Sequence, residues 1–201
     1  QEVDVQKLKE RLLSLESDTI IFLNNVSEIQ ILEEDTKQNL LIKRQFKNIK
    51  CRKIKRLVIK RKGLQTETSY WLVFKRRYKV PAFVQKYIEE DVRKEMEEIY
   101  KDAPIPDLEE RIKRRILKYV APSIAIQTDK RGKFKPLQHA RLFVYLPTET
   151  TTGLKFLIHA EFKPTADRNS IEENPVNEWL IKKVTDLVAE FIEEIKKMKK
   201  Y

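Results

Sequence analysis

Apolar segments separated by polar turns predict strands in the first half of the chain. Segments 28–32 and 40–46 flank a polar turn, and segments 53–61 and 69–79 flank a second turn around Gly63. Each segment contains β-branched, aliphatic or aromatic residues and is bounded by polar turn residues, as the strands of a hairpin are. Two consecutive antiparallel hairpins are therefore predicted.

The last third of the chain has a similar pattern. Strands are predicted at 123–128, 141–146 and 154–163, with a threonine-rich turn at 147–153. In the third of these strands every second residue is apolar, so one face is predicted to be buried and the other polar. His159 falls on the polar side and is expected to be an ordinary surface residue.

Helical spacing of apolar residues predicts helices at 4–15, 84–101 and 107–120, and another that begins at Pro175. Asp107, with Glu110 three positions on, suggests a capping box, and Asn174 is the predicted N-cap of the last helix. Strands followed by a covering helix favour an α+β fold with a mixed β-sheet covered by helices. We expect one domain over 1–201, with 82–122 as a helical insertion or subdomain.

The composition of the chain narrows the range of possible functions. The 201 residues include three glycines and one cysteine, and no Gly-rich phosphate loop or zinc-ligand spacing occurs. No apolar run approaches the roughly 18 residues that span a bilayer, and the first ten residues do not resemble a signal peptide. A cytoplasmic protein without a membrane partner or bound metal is expected, and the chain alone does not read as a complete enzyme.

The positive charge is concentrated in one segment. The net charge is +11, and residues 43–62 hold eleven Lys/Arg and no acid, so the remainder of the chain is neutral. Such a segment can attract phosphate backbones, and interleaved aromatic rings can stack on bases. An equally simple interpretation is a solvated strand face that prevents edge pairing. The candidate nucleic-acid-binding residues are Lys53, Lys55, Arg56, Lys60, Arg61, Trp71, Arg76 and Arg77.

Four segments carry a resemblance to a known family. Residues 18–31 read DTIIFLNNVSEIQI, 140–148 read ARLFVYLPT, 152–162 read TGLKFLIHAEF and 165–171 read TADRNSI. They resemble the region that follows the ATP-binding domain in sacsin-type proteins, which belong to the GHKL ATPases together with the ninety-kilodalton heat-shock chaperone. The resemblance covers roughly residues 15–32 and 138–192, and the middle of the chain, including 84–120, lies outside it.

The resemblance implies a transducer-like middle domain of the left-handed β-α-β type, whose N-terminal ATP-binding domain is absent from this chain. ATP and Mg would be bound only with that domain, and no activity is expected of this chain alone. Arg168 would contact the γ-phosphate, with Ile171 and Glu172 following in the family's order. Glu172 departs from the family, which has a glutamine there. A simpler role for Arg168 is pairing with Asp167 or capping the final helix region.

The resemblance also implies partners. The first is the N-terminal ATPase domain of the same protein, and a client protein is expected from the chaperone relatives. A nucleic acid and a second copy of the chain are left open by the basic segment and by the apolar stripe of the last helix. Lys155 and Lys163, on the strand that leads to Arg168, are either additional phosphate contacts or solvated side chains.

Overall fold

A computed structural model describes residues 10, 12, 13, 15–32, 39–47, 54–63, 66–100 and 107–198. After a 3-10 turn at Ser17–Ile20 the first strands are β1 (Glu28–Leu32), β2 (Asn39–Lys47), β3 (Ile54–Lys62), β4 (Glu67–Lys75) and β5 (Tyr78–Lys79). The middle holds helices α1 (Ala82–Ile99) and α2 (Leu108–Arg115) and strands β6 (Tyr119–Val120) and β7 (Ser123–Thr128). Strands β8 (Arg141–Val144), β9 (Leu146–Thr151) and β10 (Leu157–His159) and helix α3 (Pro175–Met198) complete the chain.

The described strands form a large mixed sheet in the order β1-β2-β3-β4-β7-β10-β8-β9. Strands β10 and β8 are parallel, and the other neighbours are antiparallel. A separate ladder joins β5 to β6. The predicted α+β class, with a mixed sheet and covering helices, is confirmed.

Each face of the sheet carries an apolar core. On one, which we call the Phe22 face, Ile20, Ile21 and Phe22 pack on side chains of β2, β3, β4, β7, β8 and β10. On the other, the α3 face, Leu187 and Phe191 pack on β3, β4 and β7, and Val176, Leu180 and Val184 pack on β8 and β10. Burial on both sides provides the main stabilisation of the central strands.

The last helix starts as predicted. The Asn174 side-chain oxygen accepts a 2.9 Å hydrogen bond from the backbone N–H of Asn177, and Pro175 occupies the first helical position. Asn177 is itself buried and donates to the carbonyls of Lys163 and Glu172 at 2.9 and 2.7 Å. The start of α3 is therefore joined to both ends of the 163–172 segment.

Helices α1 and α2 share a small apolar cluster formed by Val92, Met96 and Ile112. Helix α1 also contributes Val84 to the core beneath α3. The predicted helix over 4–15 lies mostly outside the described residues, although Glu10, Leu12 and Leu13 are helical. Among the described residues, no helix combines the length and apolarity needed to cross a membrane.

Three boundaries differ from the prediction around β5 and β6. The helix predicted over 107–120 ends at Arg115, because Tyr119 and Val120 pair with β5 instead. Asp107 precedes α2 in a left-handed conformation (φ 55°) and makes no side-chain cap, so the capping box was wrong. The strand predicted over 69–79 is interrupted at Arg76 and Arg77, where the chain leaves the large sheet.

The β8–β10 region also differs. The turn predicted over 147–153 is mostly strand β9, and the chain reverses at Tyr145 in a left-handed conformation (φ 63°). The strand predicted over 154–163 is reduced to the three residues of β10, and all three are buried. Both faces are covered, so the predicted division into a buried and a polar face does not hold there.

Candidate functional site

The loop 164–171 is closed on itself by backbone hydrogen bonds. Pro164 and Ile171 form an antiparallel bridge, the Thr165 N–H donates to the Ser170 carbonyl at 3.0 Å, and the Arg168 N–H donates to the Thr165 carbonyl at 2.8 Å. These bonds fix the loop backbone over a short span. Arg168 lies at its exposed tip in a left-handed conformation (φ 58°).

The Asp167 carboxylate stabilises this loop and does not pair with the neighbouring Arg168. Its carboxylate accepts hydrogen bonds from the Thr165 hydroxyl at 2.6 Å and from the backbone and side-chain nitrogens of Asn169 at 3.0 and 2.7 Å. These donors, first the Thr165 hydroxyl, lower the pKa of Asp167. The Thr150 hydroxyl of β9 donates to the Asn169 carbonyl at 3.0 Å, which attaches the loop to the sheet.

The Arg168 guanidinium retains free donor capacity. One nitrogen donates to the Val144 carbonyl at 3.1 Å, and within the described part of the chain no carboxylate pairs with it. The pairing with Asp167 considered from the sequence is therefore not observed. A guanidinium has five N–H donors, so most of them remain available to a ligand outside this chain.

The turn that holds Arg168 rests on a buried histidine. Nδ1 of His159 lies 3.2 Å from the backbone nitrogen of Tyr145, directly after the Val144 carbonyl that binds Arg168, and 3.3 Å from the Phe143 carbonyl oxygen. The imidazole is 1% exposed and lies between the rings of Phe22 and Tyr145, with centroid distances of 5.2 and 5.0 Å. Burial lowers the pKa of His159 to about 4.

The prediction that His159 is a surface residue was wrong, because the 17–22 segment covers that side of β10. Its place in an alternating pattern suggested that the side chain is exposed to solvent. A neutral histidine in this position instead links the Phe22 core to the Tyr145 turn.

Glu172 and Lys163 belong to a different contact. The Lys163 ammonium lies 2.8 Å from the Asp91 carboxylate of α1 and 3.3 Å from that of Glu172. Partial burial opposes the charge of Lys163, but its hydrogen bonds to Asp91 and Glu172 outweigh that effect and raise its pKa. Glu172 also accepts from the Asn174 amide at 3.3 Å. These groups therefore connect α1, the loop and α3, whereas the Arg168 guanidinium binds β8. Lys155 is exposed.

The predicted nucleic-acid-binding residues are split between the faces of the sheet. Register places Arg56 and Lys60 on the side of the α3 face, and Lys55, Arg61 and Trp71 on the Phe22 face. Lys53 lies outside the described residues. Because successive side chains of a strand point to opposite faces, a run of adjacent cations cannot form one patch.

Several of these residues have partners within the chain. Trp71 is 2% exposed and its ring nitrogen donates to the Ser69 hydroxyl at 2.9 Å, so it offers no surface for base stacking. Arg61 donates to the carbonyls of Leu15 and Leu13 at 2.9 and 3.1 Å. Arg56 donates to the Lys130 carbonyl at 2.6 Å and lies over the Tyr70 ring.

The two arginines after β4 remain exposed. Arg76 forms an ion pair with Glu190 of α3, which raises the pKa of Arg76, and the Arg77 guanidinium lies 3.8 Å from the centroid of the Tyr119 ring. Lys75 and Phe46 lie nearby, lining the same cleft as the two arginines. Phe46 was not predicted as a functional residue.

Arg44 was also missed. It is 8% exposed and donates to the backbone carbonyls of Ile20, at 3.2 Å, and of Asn24, which fixes the 17–24 segment on the sheet. Burial lowers the pKa of Arg44. The available signal was its position in β2, where it shares an apolar face with Leu40 and Ile42.

Comparisons with known proteins do not indicate a function for this chain. The chain matches no family model, no curated protein and no solved structure. Within the described ranges, no three His, Cys, Asp or Glu side chains are grouped as ligands for a metal ion. The function is therefore inferred from the geometry and from the sequence resemblance.

Proposed function

We propose that this chain is the transducer-like middle region of a cytoplasmic GHKL-type ATPase with chaperone-like work. In this proposal Arg168 contacts the γ-phosphate of ATP, which is bound with Mg in a separate N-terminal domain. Closure of the two domains then couples hydrolysis to conformational change. The observation that carries the proposal is Arg168, exposed at the tip of a closed loop and held only by the Val144 carbonyl among the described residues.

The chemistry favours arginine in this position. A guanidinium is planar and permanently charged, and it can donate two parallel hydrogen bonds to a phosphoryl group. It stabilises charge that develops on that group during transfer, provided that it is already in place. A left-handed conformation costs a non-glycine residue roughly 1–2 kcal/mol. The hydrogen bonds of the 164–171 loop offset that cost and keep the arginine presented.

The resemblance of residues 140–171 to sacsin-type proteins supports the same assignment. The left-handed β-α-β arrangement and a client protein are parts of the proposal that rest on the resemblance, and dimerisation is a part that rests on the apolar stripe of the last helix. Glu172 is not assigned to the phosphate, since its carboxylate contacts Lys163 and Asn174. Asp91, on the other side of Lys163, gives that lysine a second carboxylate partner as well.

The test is Arg168→Ala in the full-length protein that includes the N-terminal domain. The ATP hydrolysis rate is expected to fall at least about 100-fold, since arginines of this kind contribute about 10³–10⁵. Arg168→Lys keeps the charge but not the fork, and a partial loss is expected. Arg131→Ala is the matched control, because Arg131 is also an exposed loop arginine but lies in the turn after β7.

The affinity for ADP, which lacks the γ-phosphate that Arg168 contacts, should stay the same in all three variants when measured by titration. If Arg168→Ala is folded and hydrolyses ATP within about twofold of the wild-type rate, the assignment of Arg168 is wrong.

A second candidate function is nucleic-acid binding, for which a specific observation exists. Lys55 and Lys75 are both exposed, and neither of them has an ion-pair partner in the described part of the chain. Binding of labelled DNA and RNA oligonucleotides should weaken steeply between about 50 and 200 mM salt. Absent binding at low salt, or binding that salt does not weaken, would remove this candidate.

A further inference from the structure

A cleft of about 760 Å³ lies at one end of the Phe22 face. Its cationic wall consists of Lys55 from β3, Lys75 at the end of β4, and Arg76 and Arg77 directly after it. Its apolar wall includes Phe22 and Phe46. The residues that the chain places here come from distant segments, and only the folded sheet brings them together.

The charge in the cleft is poorly compensated. Glu190 is the carboxylate among the lining residues, and it pairs with Arg76. Lys55, Lys75 and Arg77 have no ion-pair partner within the described residues. Three cations around one concave surface repel each other and attract an anion that carries several charges.

The spacing of these cations suits a chain of phosphates. Lys55 is paired with Val73, so Lys75 is its diagonal neighbour, at about 7–8 Å between backbones. Arg77 follows two positions after Lys75, beyond the end of β4. The three cations therefore come from neighbouring positions at one end of the sheet and all line the cleft.

An exposed aromatic ring lies beside them. Phe46 is 52% exposed, and the Arg44 guanidinium and the Lys55 ammonium are each 5.6 Å from the centre of its ring. A large apolar side chain exposed next to cations is the combination that stacks bases in proteins that bind single strands. A double helix is a wide rod with its bases inside, so it cannot offer a base to a ring in a cleft of this size.

We propose that this cleft binds a segment of single-stranded nucleic acid, with phosphates on Lys55, Lys75 and Arg77 and a base on Phe46. The proposal rests on the second candidate function and specifies its site and the type of strand. It excludes the opposite side of β2 and β3, where Lys43, Lys60 and Lys62 line a smaller pocket of about 260 Å³. That surface provides a control with three lysines, of which Lys43 forms a 2.9 Å ion pair with Glu28.

The test compares two triple variants in binding a labelled single strand of about 12 nucleotides, a length within the range of known single-strand sites. Lys55→Ala, Lys75→Ala and Arg77→Ala together are expected to weaken binding at least about tenfold at low salt. They should also reduce the slope of log affinity against log salt by about 2, from three phosphate contacts. Lys43→Ala, Lys60→Ala and Lys62→Ala together should weaken binding less than about threefold, because they remove equal charge from the other face.

A single variant tests the aromatic contact. Phe46→Ala should weaken binding about fivefold or more, as loss of a base stack does. Phe83→Ala is the control, because Phe83 is 61% exposed on α1, away from the cleft. Circular dichroism and thermal unfolding of each variant establish that it is folded before binding is compared.

The outcomes separate the site from the function. If the two triple variants weaken binding equally, or if a duplex of the same length binds as tightly as the single strand, the cleft assignment is overturned and nucleic-acid binding survives. If no oligonucleotide binds at low salt, both fall. Selective loss in the cleft and Phe46 variants would support the proposal.

Discussion

The two halves of the large sheet bury their strands differently. In the first half, β1 to β4 follow one another in chain order, and β2, β3 and β4 are nine residues long with exposed positions along them. In the second half, β7, β10, β8 and β9 depart from chain order, and β10 has three residues, all buried. The first half is a regular meander with exposed polar side chains on β2 and β3, whereas β10 in the second half is covered on both sides.

Two polar residues illustrate this difference. In the first half an alternating polar residue such as Lys60 is exposed, as its position predicts. In the second half the polar residue of the same pattern, His159, is enclosed by the 17–22 segment. The candidate phosphate contact, Arg168, rests on the covered half, and the cationic cleft lies at the end of the first half and the start of the second.

The largest expected effect comes from the covered half. Phe143 is fully buried and its ring contacts Phe22 edge to face at 5.1 Å. Phe143→Ala should lower the free energy of unfolding by about 3–5 kcal/mol, measured by urea denaturation. Phe46→Ala, the same change at a 52% exposed position, should cost less than about 1 kcal/mol. Equal losses would show that the two halves are equally packed.

The next effect is the pH dependence of His159. Its pKa is lowered to about 4 in the folded chain by burial, against 6.5 in its ordinary state. Below pH 6.5 His159 is therefore protonated in the unfolded chain, whereas in the folded chain it stays neutral until about pH 4. The stability contributed by neutral His159 is complete above pH 6.5 and is lost as the pH falls to about 4, in total about 3 kcal/mol.

The measurement is denaturation of wild type and His159→Gln at pH 7 and pH 4. The stability of wild type relative to the variant should fall by about that 3 kcal/mol on going to pH 4. The exposed His139, changed to Gln, is the control for loss of a histidine. A relative stability that does not change with pH would mean that His159 can be protonated in the folded state.

Asp18 should show the opposite slope. Burial, followed by the nearby Glu16, raises the pKa of Asp18 from 3.8 to about 6, and one of its carboxyl oxygens is buried without a hydrogen-bond partner among the described residues. The folded chain holds this proton between about pH 4 and 6, whereas the unfolded chain releases it. Stability from the protonated form is therefore present below pH 3.8 and lost as the pH rises through about 6.

Comparison of wild type with Asp18→Asn across pH 4–7 tests this. Wild type should lose about 1–2 kcal/mol relative to the variant as the pH rises, a value reduced for partial solvent screening. A slope of the same sign as that of the His159 pair would contradict the assignment.

The smallest effect compares neighbours on one strand. Arg61 donates to two backbone carbonyls of the 13–15 segment, and Lys60 is exposed on the other side of β3. Arg61→Ala should cost about 1–2 kcal/mol of unfolding free energy, and Lys60→Ala should stay within about 0.5 kcal/mol. Similar costs for both would mean that the hydrogen bonds of Arg61 contribute little in solution.

Local patterns were sufficient where one face of an element is in water or where a cap is formed within a few residues. Strand β7 was predicted with its observed bounds, β1 likewise, and the Asn174 cap and Pro175 start of α3 were recognised from residue types alone. These features depend on side-chain period and on hydrogen bonds between near neighbours. The exposed position of Arg168 in a loop was also predictable, although its partner was not.

Long-range packing determined the remainder. The helix predicted from apolar spacing over 107–120 stops early because β6 pairs with β5. His159 and Trp71 are enclosed because the 17–22 segment packs over them. The sequence does not indicate the left-handed conformations of Tyr145 and Arg168, because neither residue is a glycine. The sequence showed that positive charge is concentrated in the basic segment. Strand register distributes these cations over two faces of the sheet and places Lys55 in one cleft with Lys75 and Phe46. The amino-acid order carries period and charge, whereas partners distant along the chain decide which side chains are left to bind.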